Sequence, residues 1–395
     1  MSLEQQLTEA IASQNALTQM VANKMGSLDA RINGFVDRWG VDGYTVLEVG
    51  RGKPYATIAD AWYALSGKAI KSDILIKVAD GDYASNQIWL SHQPFGSRIR
   101  IEGNLTNPQN CILRMTPATD RYSHGVVLER QYLAGFSGFT IVGTQTADHW
   151  THRGLFLGRH SDLYCMPGTL RFEQCGVEVA SESFLDAKEL RINDCRGNAV
   201  TAHSSGTALV EKAVITGPSH TAQYTRPDGS IAIPHGMYAS GGAHLWCGRS
   251  RISNVRNGAF SDLQAYVLCS DLVVDTADIA FLANVNGVLH AWSQADAAEC
   301  TKAINVRVGY QAWAGGVMYA LGSAVQNAAH GYYASENGFI HAGSSRCINV
   351  SSMGYNSING SQINAGDTGN RFVNTPNRYN LPAYTLGASN AFIYY

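Results

Sequence analysis

Hydrolysing a glycosidic bond takes two carboxyl groups roughly 5 to 9.5 Å apart, and lyase chemistry takes a base poised over an acidic sugar. Acids that could serve crowd between residues 170 and 212: Glu173, Asp186, Glu189, Asp194 and Glu211. If successive turns of the chain stack there, Glu173, Asp194 and Glu211 come within reach of one another, so Glu173, Asp186, Asp194 and Glu211 are the catalytic candidates. The alternative, acids that cap turns or solvate one face, stays open because no motif fixes their geometry. His149 and His152 in HWTH are the one close histidine pair outside the repeats described below; without third and fourth ligands they read as a loop and not a metal site. GRGKP at residues 50 to 54 lacks the spacing of a phosphate-binding loop. The eight cysteines include no CxxC pair and fall in apolar stretches, so they read as reduced, buried thiols. No metal and no cofactor are expected.

Sugar rings are gripped by aromatic faces with hydrogen bonds from polar neighbours. Trp246, Leu268, His290, Tyr319, His341 and Asn364 recur at coil spacing, with Trp292 and Trp313 close by. Such a stripe lines a saccharide groove or faces a threefold axis, and the sequence leaves both open. The longest irregular stretch, Pro218 to Gly236, carries His220, Tyr224, Arg226 and Asp228 and is expected to project as a recognition loop. The ligand-binding candidates are therefore Tyr224, Arg226, Asp228, Trp246, Trp292 and Trp313.

The elements that must hold these residues are read from a repeat. GMYAS, GAFSD, IAFLANV, GYQAW, GYYAS and GYNSI place Gly236, Gly258, Ala280, Gly309, Gly331 and Gly354 at intervals of 22, 22, 29, 22 and 23 residues. A period of that size belongs to a solenoid. The same offsets generate uniform columns: Leu245, Val267, Leu289, Met318, Ile340 and Ile363 are apolar, and Cys247, Cys269, Ala291, Ala320, Ala342 and Ala365 are small. Met237, Ala259, Phe281, Tyr310, Tyr332 and Tyr355 form a largely aromatic column, with Ala239, Ser261, Ala283, Ala312, Ala334 and Ser357 beside it. Residues two apart share one face of a strand, so each coil holds at least two short strands joined by turns, and the fold class is all-β, a right-handed parallel β-helix. The seven-residue excess before Gly309 reads as a loop pushed out of one coil. Composition agrees: 40 Gly, 19 Tyr and only 15% charged residues make a turn-rich β profile.

Ahead of the repeat, residues 1 to about 38 contain no Pro. Leu7, Ile11, Gln14, Thr18, Val21, Met25, Leu28, Ile32 and Phe35 alternate spacings of four and three, an a/d seam that predicts a coiled-coil stem. Gln14 and Thr18 would fix its register. The net charge of −2 provides no field for nucleic acid, and no apolar run approaches the roughly 20 residues that cross a bilayer, so no nucleic acid and no membrane insertion are expected. The N-terminus reads as that of a soluble, unprocessed chain.

From Val49, VGRGKPYATIADAWYALSGKAIKSDILIKVADGDY and then RIRIEGN predict a short helix at Thr57 to Leu65, a strand at Ile74 to Val78, a DG turn and the first full coil. This resembles the opening of pectate-lyase-like β-helices in phage tail spikes and tail fibres, where a short amphipathic helix caps the solenoid; the stem resembles those of Pseudomonas-type phage tail fibres. The resemblance covers residues 44 to 366. It implies a homotrimeric virion protein, assembled in the host cytoplasm, that binds bacterial surface polysaccharide such as lipopolysaccharide or capsule during adsorption. Many members also cleave that glycan, so a polysaccharide depolymerase, glycosidase or lyase, is the first alternative and a purely structural tail or baseplate fibre the second. The expected organisation is a stem at 1–40 that trimerises and attaches to other tail or baseplate proteins, an N-terminal cap at 41–84, a β-helix body at 85–366 and a C-terminal cap at 367–395.

Overall fold

The computed structural model describes residues 3–41, 43–85, 87–91, 93–116, 122–146, 148–293, 301–366, 372–380 and 391–394. Residues Leu3–Trp39 form one helix, α1, about 55 Å long at 1.5 Å per residue. Ile11, Val21, Met25 and Leu28 on it are more than half exposed, so its apolar stripe is not spent on the rest of the chain. A second, short helix, α2 (Ile58–Tyr63), starts in a capping box: the Thr57 hydroxyl accepts from the Asp60 amide, and the Asp60 carboxylate accepts from the Thr57 amide. Trp62 is buried beneath it, its indole N–H donating to the Ser91 carbonyl at 3.4 Å. The helix packs against Thr45–Val49, Ile74–Val78 and Ile88–Ser91 and shields the end of the strand stack.

The remainder is an all-β parallel solenoid of about 12 turns, right-handed in type. Its regular coils have one plan. A three-residue strand such as Tyr266–Leu268 belongs to an 11-stranded parallel sheet, here called the short face. A turn leads to an eleven-residue strand such as Val273–Ala283, which bends at Thr276, a left-handed residue (φ 58°). A second turn with two successive left-handed residues, Leu263 and Gln264 in one coil and Val285 and Asn286 in the next, returns the chain to the short face. In earlier coils the long strand is split, as in Arg191–Asn193 and Asn198–His203. The seven extra residues fall between His290 and Lys302, where 294–300 lie outside the described residues.

The sequence columns are the register of the sheets. Leu245, Val267, Leu289, Met318, Ile340 and Ile363 pair in succession, and the column continues backward through Ala208, Leu185 and Leu163 to Leu133, all fully buried. Each aliphatic side chain so buried contributes about 1.5–3 kcal/mol. In the aromatic column Phe281, Tyr310, Tyr332 and Tyr355 stack with ring centroids 4.6, 4.9 and 5.0 Å apart and planes within 13°. A tyrosine that deep must satisfy its hydroxyl. Tyr310 donates to the Thr301 carbonyl, and Tyr332 and Tyr355 bond to Ser323 and Ser345 at 2.9 and 2.6 Å. The repeated glycine is explained at Gly331, where a Cβ would meet the Gly354 carbonyl oxygen at 2.5 Å and the Cys347 sulfur at 2.8 Å.

The bend of the long strand carries a ladder. Asn305, Asn327, Asn349 and Asn374 are left-handed there, and each side-chain amide donates to the coil before it: Asn374 to Asn349, Asn349 to Asn327, Asn327 to Asn305 and Asn305 to Asp275, at 2.9–3.0 Å. At the C-terminal end Phe372–Val373 pairs with Cys347 and Ile348, Tyr379 stacks on Tyr355, and Phe392–Tyr394 adds the last strand of the short face. The described cysteines carry free thiols, and all but Cys165 are buried; Cys300 lies outside the described residues.

Candidate functional site

Strands of three residues bury their middle side chain and point the first and third outward, so the short face presents two outward columns. One runs Tyr132, Asp162, Phe184, Thr207, His244 and Tyr266; the other runs Tyr164, Asp186, Leu209, Trp246, Leu268, His290, Tyr319, His341 and Asn364. The rings touch from coil to coil. His244 to Tyr266, Tyr266 to His290, His290 to Tyr319 and Tyr319 to His341 are 5.9, 5.0, 4.5 and 6.4 Å between centroids. Nearer the N-terminal end, Tyr132 to Tyr164 and Tyr164 to Phe184 are 6.2 and 5.5 Å. Burial holds the His290 imidazole below the usual histidine range, which favours its neutral form within the row.

The tryptophans stand around this face. Trp246 lies in the row and is 39% exposed, Trp313 is 41% exposed at the turn that re-enters the short face, and Trp292 follows the row with its indole N–H buried and, among the described residues, without a hydrogen-bond partner. The loop candidates lie elsewhere: the stretch holds a small antiparallel hairpin, Tyr224–Thr225 with Ile231–Ala232, whose turn residues Asp228 to Ser230 are exposed. Arg196 stacks over the Tyr224 ring at 4.9 Å and Arg226 over Trp150 at 5.8 Å, while Asp228 accepts from the Ser230 amide within the hairpin turn. These cation–π contacts tie the hairpin to the body at Arg196 and Trp150 and offset part of the entropy of ordering a long polar loop.

The four acids do not assemble. Glu173 sits above Asn193, whose amide it accepts at 2.9 Å, and Asp194 is the adjoining left-handed corner, within 3.5 Å of the Gln174 amide. Glu211 lies in the turn between Thr207–Leu209 and Val214–Thr216, where its carbonyl receives the Glu189 amide and Lys212 pairs with the Glu189 carboxylate at 3.3 Å. Asp186 points outward from the short face, on a different sheet from Glu173.

A buried polar cluster lies on the outer side of the split strands, and sequence reasoning missed it. Arg153 donates to Glu178 at 2.7 Å and reaches Thr201 at 3.3 Å, while His203 bonds the other Glu178 oxygen at 3.0 Å. Burial would raise the Glu178 carboxyl, but the His203 hydrogen bond and the Arg153 charge overrule it and hold the group near 2. His152 is in the strand Trp150–Gly158 and not in a loop; its ring meets His124 edge-on at 5.6 Å, and burial together with Arg153 pushes it down to about 3. Glu178 is thus a fixed anion with both oxygens engaged, suited to locking three coils together and not to donating a proton. The signal for it, an Arg and a Glu at 25 residues' separation, lies in coils too irregular to align by eye. Among the described residues no group of three or more His, Cys, Asp or Glu side chains is placed to hold a metal.

The chain matches no protein-family model, and no curated protein is significantly similar to it.

Proposed function

We propose that the protein is a trimeric fibre or spike of a phage tail that binds bacterial surface polysaccharide along its short face. The observation that carries this is the outward row His244, Tyr266, His290, Tyr319 and His341, which spans about 20 Å at the spacing of parallel strands and is flanked by exposed Trp246. Ring faces backed by imidazole and hydroxyl donors suit pyranose rings, and a row of them suits a polymer of sugars. The exposed stripe of α1 supplies the reason for self-association, and the viral setting rests on the resemblance of residues 44 to 366 to tail-spike solenoids.

Retardation of the intact protein in gels containing capsular or O-antigen polysaccharide from a panel of bacterial strains tests the reading. At least one glycan should retard it, and Trp246→Ala, Tyr266→Ala and Tyr319→Ala should each weaken that retention about tenfold, or about 1.4 kcal/mol. Retention unchanged in all three variants would remove the short face from the account; no retention by any glycan would favour a purely structural fibre.

A further inference from the structure

We infer that the outer side of the long strands, ahead of their bend, is a second binding face that takes a linear acidic polymer of sugars with one acidic group per disaccharide. It goes beyond the short-face reading, and either can fail without the other. There each strand buries its second residue and turns its first and third outward. The first residues form a column through Arg191, Val214, Arg251, Val273, Lys302, Ala324 and Arg346, each paired in register with the next. Cation and apolar residue alternate coil by coil, so positive charge recurs at every second strand, about 9.5 Å apart. At the N-terminal end Arg171 pairs directly with Arg191, which closes the alternation with a doubled charge. Arg191, Arg251 and Arg346 are exposed, and among the described residues no acidic side chain pairs with any of them. The acids of the adjoining outward column are engaged in hydrogen bonds, Glu173 with Asn193 and Asp275 with Asn305 and Thr276.

A hollow is built into this column. Lys302 and Arg346 stand on either side of Ala324, whose small side chain leaves a cavity of about 110 Å³ walled by Ile304, Gln326 and Ile348. An anionic group seated over Ala324 has a cation on each side, the Gln326 amide beside it and aliphatic walls for the CH faces of a sugar. Val273 and Val214 hold the same place between cations two and four coils earlier. The interval selects the occupant. Pyranoses in an extended polymer advance by roughly one strand spacing per ring, so an acid on alternate rings keeps step with the cations. An extended peptide shows like-facing side chains about 6.7 Å apart and falls out of step. Duplex DNA carries one charge per about 1.7 Å of axis, far denser than the stripe. A second copy of the chain offers no matching acidic column among the described residues: Glu178 and Asp278 are held by arginines, and Asp162 and Asp186 are confined to two adjacent coils. Three such stripes turned toward a threefold axis would repel one another, so this face points away from it.

Hyaluronan, a linear polymer with a carboxylate on alternate sugars, is the probe. Gels containing it should retard the intact protein, less so as salt rises. Arg251→Gln, Lys302→Gln and Arg346→Gln should each weaken retention about threefold, the size of an exposed ion pair, and the triple variant about thirtyfold, with thermal melting unchanged. Ala324→Leu keeps every charge but fills the hollow, and should also cost about threefold. Trp246→Ala, on the short face, should leave hyaluronan retention as it was; a loss there with none in the stripe variants would move the polymer to the short face and overturn the assignment. Full retention by Ala324→Leu, or binding to polyglutamate or phosphatidylglycerol vesicles as tight as to hyaluronan, would reduce the stripe to an unspecific cationic surface and overturn it equally. No retention by hyaluronan would also overturn it, and would leave the short-face reading to its own panel of glycans.

Discussion

Arg153 and Glu178 show what a single pair decides. Their side chains are 6% and 10% exposed, and removing one leaves the other's charge stranded, which in buried pairs costs about 3–5 kcal/mol; replacing both by apolar groups of similar size is often neutral. Arg153→Met should therefore lower stability by about 3 kcal/mol in denaturant melts, and the Arg153→Met, Glu178→Met double variant should recover most of it. A double variant as unstable as the single one would mean that the pair is needed for more than charge balance. His235 makes a pH argument at the same scale. Burial, with Arg256 nearby, lowers it from 6.5 to about 4, so the folded chain keeps the ring neutral while the unfolded chain takes up a proton below about 6.5. The stability that this neutrality represents is complete above 6.5 and is lost as the pH falls toward 4, on the order of 2 kcal/mol after discounting its partial exposure. Melting temperature should fall over that window, and His235→Asn should flatten the fall.

At the scale of the element, the asparagine bend couples conformation to a hydrogen-bond chain. Asn327 is left-handed and both donates to Asn305 and accepts from Asn349. Asn327→Gly forfeits the ladder bonds but keeps the backbone at ease, for about 1 kcal/mol; Asn327→Val adds the cost of a β-branched residue in the left-handed region and should lose about 2–3 kcal/mol. Equal losses in chemical denaturation would show that the bend angle is unimportant. This ladder was legible, since Asn305, Asn327 and Asn349 repeat at 22 residues like the columns beside them. It was missed because the earlier corners vary: Gln174, Asp194 and Thr276 hold the same conformation with other side chains. The inward columns were readable because close packing tolerates few residue types at each inner position. Asp186 was singled out from sequence, but its place opposite Tyr164 on the short face was not, because the coils before residue 200 are split and their register is visible only once Leu163 and Leu185 are seen to pair. Outward residues are under little packing constraint, so their columns change type from coil to coil, as Trp246, Leu268, His290 and Tyr319 do, and only the spacing marks them.

For the whole molecule the open question of assembly sits in α1. A 37-residue helix with Ile11, Val21, Met25 and Leu28 half or more exposed gains little from its own hydrogen bonds in water and most from a partner for its stripe. Thr18, a seam position, turns its hydroxyl back to the Gln14 carbonyl at 2.9 Å, which leaves a polar layer available to set register when helices associate. The solenoid, by contrast, has its own continuous core from Val49 to Ile393 and owes its melting to stacked coils. The two parts should therefore respond separately to one change. If α1 trimerises as proposed, Val21→Asp with Met25→Asp places charge in two successive layers of its apolar stripe and should convert the trimer to a monomer in analytical ultracentrifugation, while the β signal in circular dichroism and the main melting transition stay where they were. Glycan binding by the monomer should then weaken far more than the contact of one short face with the sugar does, because three linked faces on one polymer raise the effective concentration of each for the next, typically by 10²–10⁴ overall. A double variant that remains trimeric would place the association in the solenoid, and the outward face that closes there would no longer be free for a glycan.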